Sequence, residues 1–289
     1  MFSGKGGVGK TTCAAATALH HASSAERTLA ISTDATPSLS HIFNKAGGEK
    51  PVRISRSLDI NELGMAEVKE MWERKFGREV YQVFNSLVDI GYDDFVDFMT
   101  SVLPGLSDEF MVDYIREMSR RNSYTNIVWD TAPLGQTLAL LQTPAMLNKH
   151  LKAAPRIYSR LKLGKESRQP ILDIIKGWEK LSAENMEFLR SEVKFSLVTI
   201  PEALAVEQLE SILRELDRYG LKVQRLVINN VIKNRESPFL QSKARQQKQY
   251  LDTLYRRCSH MPITELPLFP YELKGTSRLK EAAGLLFPW

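Results

Sequence analysis

Apolar residues follow two rhythms along this chain. Short runs rich in β-branched residues recur at 28–33 (TLAIST), 126–129 (NIVW), 193–200 (VKFSLVTI) and 223–228 (VQRLVI), each followed by polar or small residues. Their continuous apolar character predicts strands buried on both faces. Between them, helical spacing predicts helices over 11–21, 134–147, 204–219 and 243–258, with Gly220 stopping the third. Strand and helix in alternation at these spacings predict a parallel α/β sheet.

Two regions keep the helical rhythm but leave the strand rhythm. In 64–121 one stripe runs through Val68, Met71, Trp72, Phe76, Val80, Val83, Phe84 and Leu87. A second runs through Phe95, Phe98, Met99, Val102 and Leu103 until Pro104-Gly105 breaks it. In 149–192 a third carries Ile171, Ile175, Trp178, Leu181, Met186 and Leu189. The reading is one domain over 1–289 with helical insertions at about 64–121 and 149–192 that pack into a subdomain. Taken singly, each stripe residue is read as subdomain core. Taken together, helices rich in Met, Phe and Leu can also form an adaptable groove.

The polar signals fall in a regular place. The glycine-rich segment 4–12, Asp34, Asp130, Asn229-Asn230 and the loop 267–270 each come directly after a predicted strand. In open α/β sheets, ligands bind outside the carboxyl ends of the strands.

Gly4-Lys5-Gly6-Gly7-Val8-Gly9-Lys10-Thr11-Thr12 fits G-x-x-x-x-G-K-[ST]. Its glycines let the backbone curl so that several N–H groups face one anion, and the helix that follows aims its positive end at the same place. Lys10 is placed to meet the β- and γ-phosphates, and the Thr11 hydroxyl to ligate Mg²⁺. The ligand class expected is a nucleoside polyphosphate with Mg²⁺. Asp34 closes Ser32-Thr33-Asp34, where a carboxylate can orient an attacking water or merely cap the next element. Asp130 closes an apolar strand in the Walker B manner, near Mg²⁺ directly or through water.

Composition is that of an ordinary globular protein, and no apolar run reaches the roughly 18 residues of a bilayer span. Two cysteines, Cys13 and Cys258, with no basic-then-apolar leader, suit a reducing cytoplasm. The net charge of +5 is uneven. Seven basic residues against Glu166 lie in 149–168, and seven against Glu236 and Asp252 in 233–257. Sparse aromatics there favour solvated or membrane-proximal faces over nucleic acid, so no nucleic-acid partner is expected. Only Met1-Phe2-Ser3 precede Gly4, where a strand of about five residues is expected, so a start further upstream is expected.

Lys5 gives the loop a K-G-G-x-G-K-[ST] form that resembles the deviant Walker A group, including MinD, ParA, nitrogenase iron protein and ArsA. Asp130-Thr131-Ala132-Pro133-Leu134-Gly135-Gln136-Thr137-Leu138 resembles the D-T-A-P-x-G-H-T-L signature of the ArsA family. That family comprises arsenite-pump ATPases and guided-entry factors for tail-anchored membrane proteins. Ser32 to Ser40 (STDATPSLS), Leu103-Pro104-Gly105 with Asp108-Glu109, Ile200-Pro201-Glu202 and Leu266-Pro267-Leu268 follow in family order.

The resemblance implies an Mg-dependent ATPase with the fold of a P-loop NTPase, a doubly wound, mostly parallel sheet. It places the water-activating acid on Asp34, the adenine-contacting Asn on Asn229, the loop over the base on Pro267 and Phe269, and a lysine acting across a dimer interface on Lys5. One such half in the chain implies a homodimer with two ATP at its interface. The output implied is capture and delivery of a hydrophobic transmembrane segment, with transient visits to the membrane surface. Alternatives are the driving subunit of an arsenite or antimonite efflux pump, or a MinD/ParA-like ATP switch on membrane or DNA.

Five positions depart from the pattern. Ala35-Thr36-Pro37 stands where P-A-H is usual, Gln136 for His, and Ala139 where Arg is common. The segment around Ala244, Arg245, Gln247, Tyr250 and Leu251 resembles the one after the dimer-bridging C-x-x-C of guided-entry factors. Phe239 and Ser242 occupy those cysteine positions, so no intersubunit zinc is expected there. Cys258-Ser259-His260 is read as structural or solvent-facing rather than as a ligand pair.

Overall fold

The computed structural model describes residues 1–34, 38–46, 50–77, 81, 91–94, 106–131 and 165–288, except for the side chains of 65, 66, 68, 76, 106–108 and 165–175. The chain divides into two compact units. One comprises Met1–Glu62, Arg121–Leu138 and Val193–Trp289, the other Leu63–Arg120 and Ala139–Glu192.

The strands are β1 (Phe2–Gly4), β2 (Thr28–Ser32), β3 (Val52–Ser55), β4 (Leu58–Glu62), β5 (Asn126–Asp130), β6 (Phe195–Thr199), β7 (Val223–Val231) and β8 (Ile263–Pro267). The described helices are α1 (Lys10–Ser23), α2 (Leu39–Ile42), α3 (Met65–Trp72), α4 (Leu106–Arg120), α5 (Lys165–Ser191), α6 (Ala203–Arg218), α7 (Pro238–Arg257) and α8 (Thr276–Leu286).

In the first unit the eight strands form one sheet in the order β3-β4-β2-β5-β1-β6-β7-β8. All pairs are parallel except β3 with β4. From β1 the chain steps one way to β2, and from β6 the other way to β7 and β8. Parallel crossovers are right-handed, so the two halves put their helices on opposite faces. α1 packs on β1, β2 and β5 and against α8, whereas α6 packs on β6 and against α7. This is the doubly wound, mostly parallel α/β sheet that the apolar rhythm and the family resemblance predict.

β2 and β6 are buried along their whole length, as strands covered on both faces must be. Cys13, Ala14, Ala15, Ala16 and Ala18 on α1 are fully buried in the same core. Small side chains on so many sides let α1 sit tightly between sheet and α8.

β3 and β4 add a stretch of sheet that the apolar runs do not reveal. β3 alternates half-buried and exposed residues, as an edge strand does. β4 buries Asp59 and Asn61 among its apolar residues. Asp59 is held by Arg53 and by the Tyr124 hydroxyl at 3.0 Å, which makes its burial tolerable. α7 starts at Pro238 rather than at 243 because Ser237 caps it, its Oγ accepting from the Leu240 N–H at 3.2 Å. β6 is shorter than the 193–200 run and β7 extends past 228. The helix expected over 134–147 lies outside the described residues.

The second unit is helical: α3, a π-helical turn at Glu73–Gly77, α4 and α5. Met71, Trp72, Leu181, Met186 and Leu189 are buried, as are Phe110, Val112 and Ile115 of α4. The stripe residues Met71, Trp72, Leu181, Met186 and Leu189 are thus core, and Trp178 is half-buried. The rest of the first stripe beyond 77, all of the second, and the Ile171 and Ile175 side chains lie outside the described residues.

Candidate functional site

The loop 4–9 joins the end of β1 to the start of α1. Gly7 and Gly9 have φ of 77° and 97°, conformations that side-chain-bearing residues avoid. A Cβ on Gly9 would also run into the Asn229 carboxamide. Gly6 and Gly7 are exposed, while Val8 anchors the loop in the core. α1 has no side-chain cap and no acidic residue in its first turn. Its leading N–H groups are therefore open to an anion from outside.

Lys10 is buried, and its Nζ donates to the Lys5 carbonyl at 3.2 Å. Burial lowers its pKa, and the carboxylates of Asp130 and Asp34 oppose that shift. Lys5 contributes its carbonyl to this contact. Its own half-buried ammonium makes no hydrogen bond or ion pair among the described residues. Thr11 and Thr12 are half-buried at the head of α1.

Asp130 ends β5 in full burial. Its Oδ2 accepts from the Ser38 hydroxyl at 3.4 Å. Burial pushes its pKa up to about 6, with Asp34 adding to the rise and Thr11, Lys10 and Ser38 opposing it. Its Oδ1 is buried and has no hydrogen-bond partner among the described residues. A buried carboxylate oxygen left bare is costly unless something from outside meets it. A hard divalent cation takes oxygen ligands, so the Thr11 hydroxyl with Asp130 fits Mg²⁺. Asp34 follows β2 half-buried, its N–H donating to the Ser32 hydroxyl at 3.2 Å.

Neighbouring strand ends are cross-tied. Thr33 N–H donates to the Asp130 carbonyl at 3.1 Å, and Trp129 Nε1 to the Thr33 hydroxyl at 3.0 Å. Two participants are not among the expected site residues, though Ser38 lies in the 32–40 segment that carries the family resemblance. Ser38 reaches Asp130, and Glu62, at the end of β4, accepts from the Ser40 N–H at 3.1 Å in the first turn of α2. Strand order sets Glu62 beside Ser32 at the end of β2.

On the other side of the loop, Asn229 of β7 is buried and donates from Nδ2 to the Val8 carbonyl at 2.9 Å. Pro267 ends β8, and the next residue, Leu268, donates its N–H to the Val231 carbonyl at 2.9 Å. The half-buried Phe269 ring lies 5.9 Å from that of Tyr271. Lys10, Thr11, Asp34 and Asp130 thus share one electrostatic environment, with Asn229 fastened to the loop beside them. Ala35-Thr36-Pro37, Gln136 and Ala139 lie outside the described residues.

The profile described as anion-transporting ATPase, ArsA ATPase, matches residues 1–288. The chain belongs to the ArsA family. It is 31% identical to a putative arsenical pump-driving ATPase 2 of Aquifex aeolicus over 99% of this chain and 98% of that protein. It is 29% identical to ATPase GET3A of Arabidopsis thaliana, over 96% of this chain and 80% of the relative. With the ATPase ASNA1 homolog of Dictyostelium discoideum the identity is 25%, over 98% and 87%. As a member of the ArsA family the chain is a nucleotide-binding ATPase.

Within this ArsA-family ATPase the positions of the C-x-x-C, Phe239 and Ser242, are exposed on α7. Among the described residues no group of three or more His, Cys, Asp and Glu is arranged to hold a metal. Cys258 is buried just beyond α7, while His260 is exposed. No helix among the described residues is long and apolar enough to cross a membrane.

Proposed function

We propose that this ArsA-family ATPase works as an Mg²⁺-dependent homodimer in the cytoplasm that captures a hydrophobic transmembrane segment and delivers it to a membrane. The observation that carries the hydrolytic part is the buried Oδ1 of Asp130, unmet among the described residues, in one electrostatic environment with Thr11, Lys10 and Asp34. Bound Mg²⁺ would neutralise charge on the phosphates. Gly4, Gly6, Gly7, Val8, Gly9, Lys10, Thr11 and Thr12 form the cradle, and Lys10 meets the terminal phosphates. Asp34 orients the attacking water and takes its proton. Asn229, Pro267 and Phe269 form the base end. Lys5 acts in the partner's site, which agrees with an ammonium that makes no hydrogen bond or ion pair among the described residues of its own chain.

The same family holds arsenical pump-driving proteins by name. A soft metalloid calls for thiolates. Here both cysteines are buried and free, and burial drives the Cys13 thiol up to about 12. That chemistry favours a hydrophobic client over a metalloid as the thing handled. The helical unit is read as an insertion whose surface receives the client, while its described stripes form the core.

The experiment compares ATPase rate with a transmembrane-helix peptide, with antimonite and with neither. Stimulation and co-purification with the peptide are expected. Stimulation by antimonite alone would overturn the client reading in favour of a pump subunit.

A further inference from the structure

At its carboxyl end β7 leaves regular pairing. Its register with β8 shifts between Ile228 and Val231, and Asn230 takes the left-handed conformation at φ 59°. A residue with a side chain keeps that conformation only where its surroundings hold it. Two backbone groups flanking the turn, the Asn230 carbonyl and the Ile232 N–H, point out of the ladder and need partners.

Gln247, half-buried in the middle of α7, supplies both. Its Nε2 donates to the Asn230 carbonyl at 2.9 Å, and its Oε1 accepts from the Ile232 N–H at 2.9 Å. The Val231 carbonyl between them is taken by Leu268 N–H, also at 2.9 Å. The residue just before the clamped turn is Asn229, whose carboxamide holds the Val8 carbonyl. Hydrogen bonds at either end of one short stretch of β7 backbone therefore link α7 to the phosphate loop. A primary carboxamide is the one side-chain group of this length with a neutral donor and acceptor side by side. Glutamate would set a carboxylate against a carbonyl, and methionine would leave both backbone groups unmet.

We propose that Gln247 is a positioning residue of the nucleotide site: it clamps the β7 turn and so fixes Asn229 against Val8 and Gly9. The proposal rests on the reading that the loop 4–12 binds ATP. A residue that only stabilised α7 would lower the melting temperature without acting through Asn229.

The test is a double-mutant cycle in the full chain, read as the dissociation constant for ATP. Gln247→Met is expected to weaken ATP binding about three- to tenfold, with KM rising by more than kcat falls. Gln247→Glu keeps the acceptor for Ile232 and is expected to fall between wild type and Gln247→Met, which serves if the latter folds poorly. On an Asn229→Ala background, the Gln247 substitution is expected to add less than about twofold. Equal ATP affinity for wild type and both Gln247 variants, or a full effect of either variant on the Asn229→Ala background, overturns the proposal. A wild-type chain that fails to bind ATP overturns the site itself, and the clamp's role with it.

Discussion

The Lys10 ammonium donates to the backbone carbonyl of Lys5, so the two signature lysines of the loop are joined through one's side chain and the other's main chain. The contact survives removal of the Lys5 side chain. Lys5→Ala is therefore expected to bind ATP within about twofold of wild type yet to lose ATP-dependent doubling of mass in light scattering. Wild-type-like assembly of the variant would take Lys5 out of the dimer interface.

The Asp34 carboxylate opposes the burial-driven lowering of the Lys10 pKa and adds to the rise at Asp130. If it orients water, Asp34→Asn removes the proton acceptor while keeping shape and most of the nucleotide contacts. ATP affinity should persist while turnover drops about 10²- to 10⁴-fold, the usual worth of a general base. Hydrolysis within a few-fold of wild type in single-turnover assays would mean that Asp34 caps the segment after β2 and does no more.

Asp130 couples function to stability with an unusual sign. The folded carboxyl keeps its proton up to about pH 6, whereas the unfolded one releases it near 3.8. Between those values the folded state binds more protons, so stability falls as pH rises and the penalty is complete above about 6. The two-unit gap corresponds to on the order of 2–3 kcal/mol. Metal-free Asp130→Asn should therefore melt higher than wild type at pH 8, by about 5 °C, and match it near pH 4. The same proton competes with Mg²⁺, so the Mg²⁺ needed for half-maximal ATPase should rise as pH drops below about 6. A variant that melts lower at pH 8 would show that the carboxylate is stabilised, not strained, where it sits.

The nucleotide half of this molecule is legible in the sequence because it is local. Segment 4–12 is contiguous, and Asp34 and Asp130 announce themselves by ending apolar runs. β3 and β4 escape notice for a physical reason. An edge strand needs only one apolar face, and β4 buries Asp59 by borrowing Arg53 and Tyr124 from elsewhere in the chain. Glu62 is hidden for a related reason, and Ser38 and Gln247, though they lie in segments that carry the family resemblance, show no role there. Each works through a long-range hydrogen bond or clamp that only the folded chain reveals. Asn229 is the intermediate case, placed at the base end by resemblance but found fastened to Val8.

The helical unit offers a test of a different kind. Asp113 of α4 is fully buried, met by Arg116 Nη2 at 2.7 Å and by Lys75 from the π-helical turn. Arg116, itself buried, also reaches Glu184 of α5. Taking two charges into a helical core costs desolvation that their attraction barely offsets, so the pair adds little net stability. Removing one partner is another matter. Arg116→Met leaves Asp113 buried with Lys75 alone and should cost about 3 kcal/mol in urea unfolding. The double variant Asp113→Leu, Arg116→Met should be less destabilised than Arg116→Met by itself. The partners it leaves behind, Lys75 and Glu184, are 20% and 38% exposed and can turn to water. Two-unit chains can unfold in steps, so the comparison is made on the transition that Arg116→Met shifts. A double variant weaker than the sum of the two single ones would mean that the buried pair, and not the apolar stripe around Trp72 and Leu189, holds these helices together.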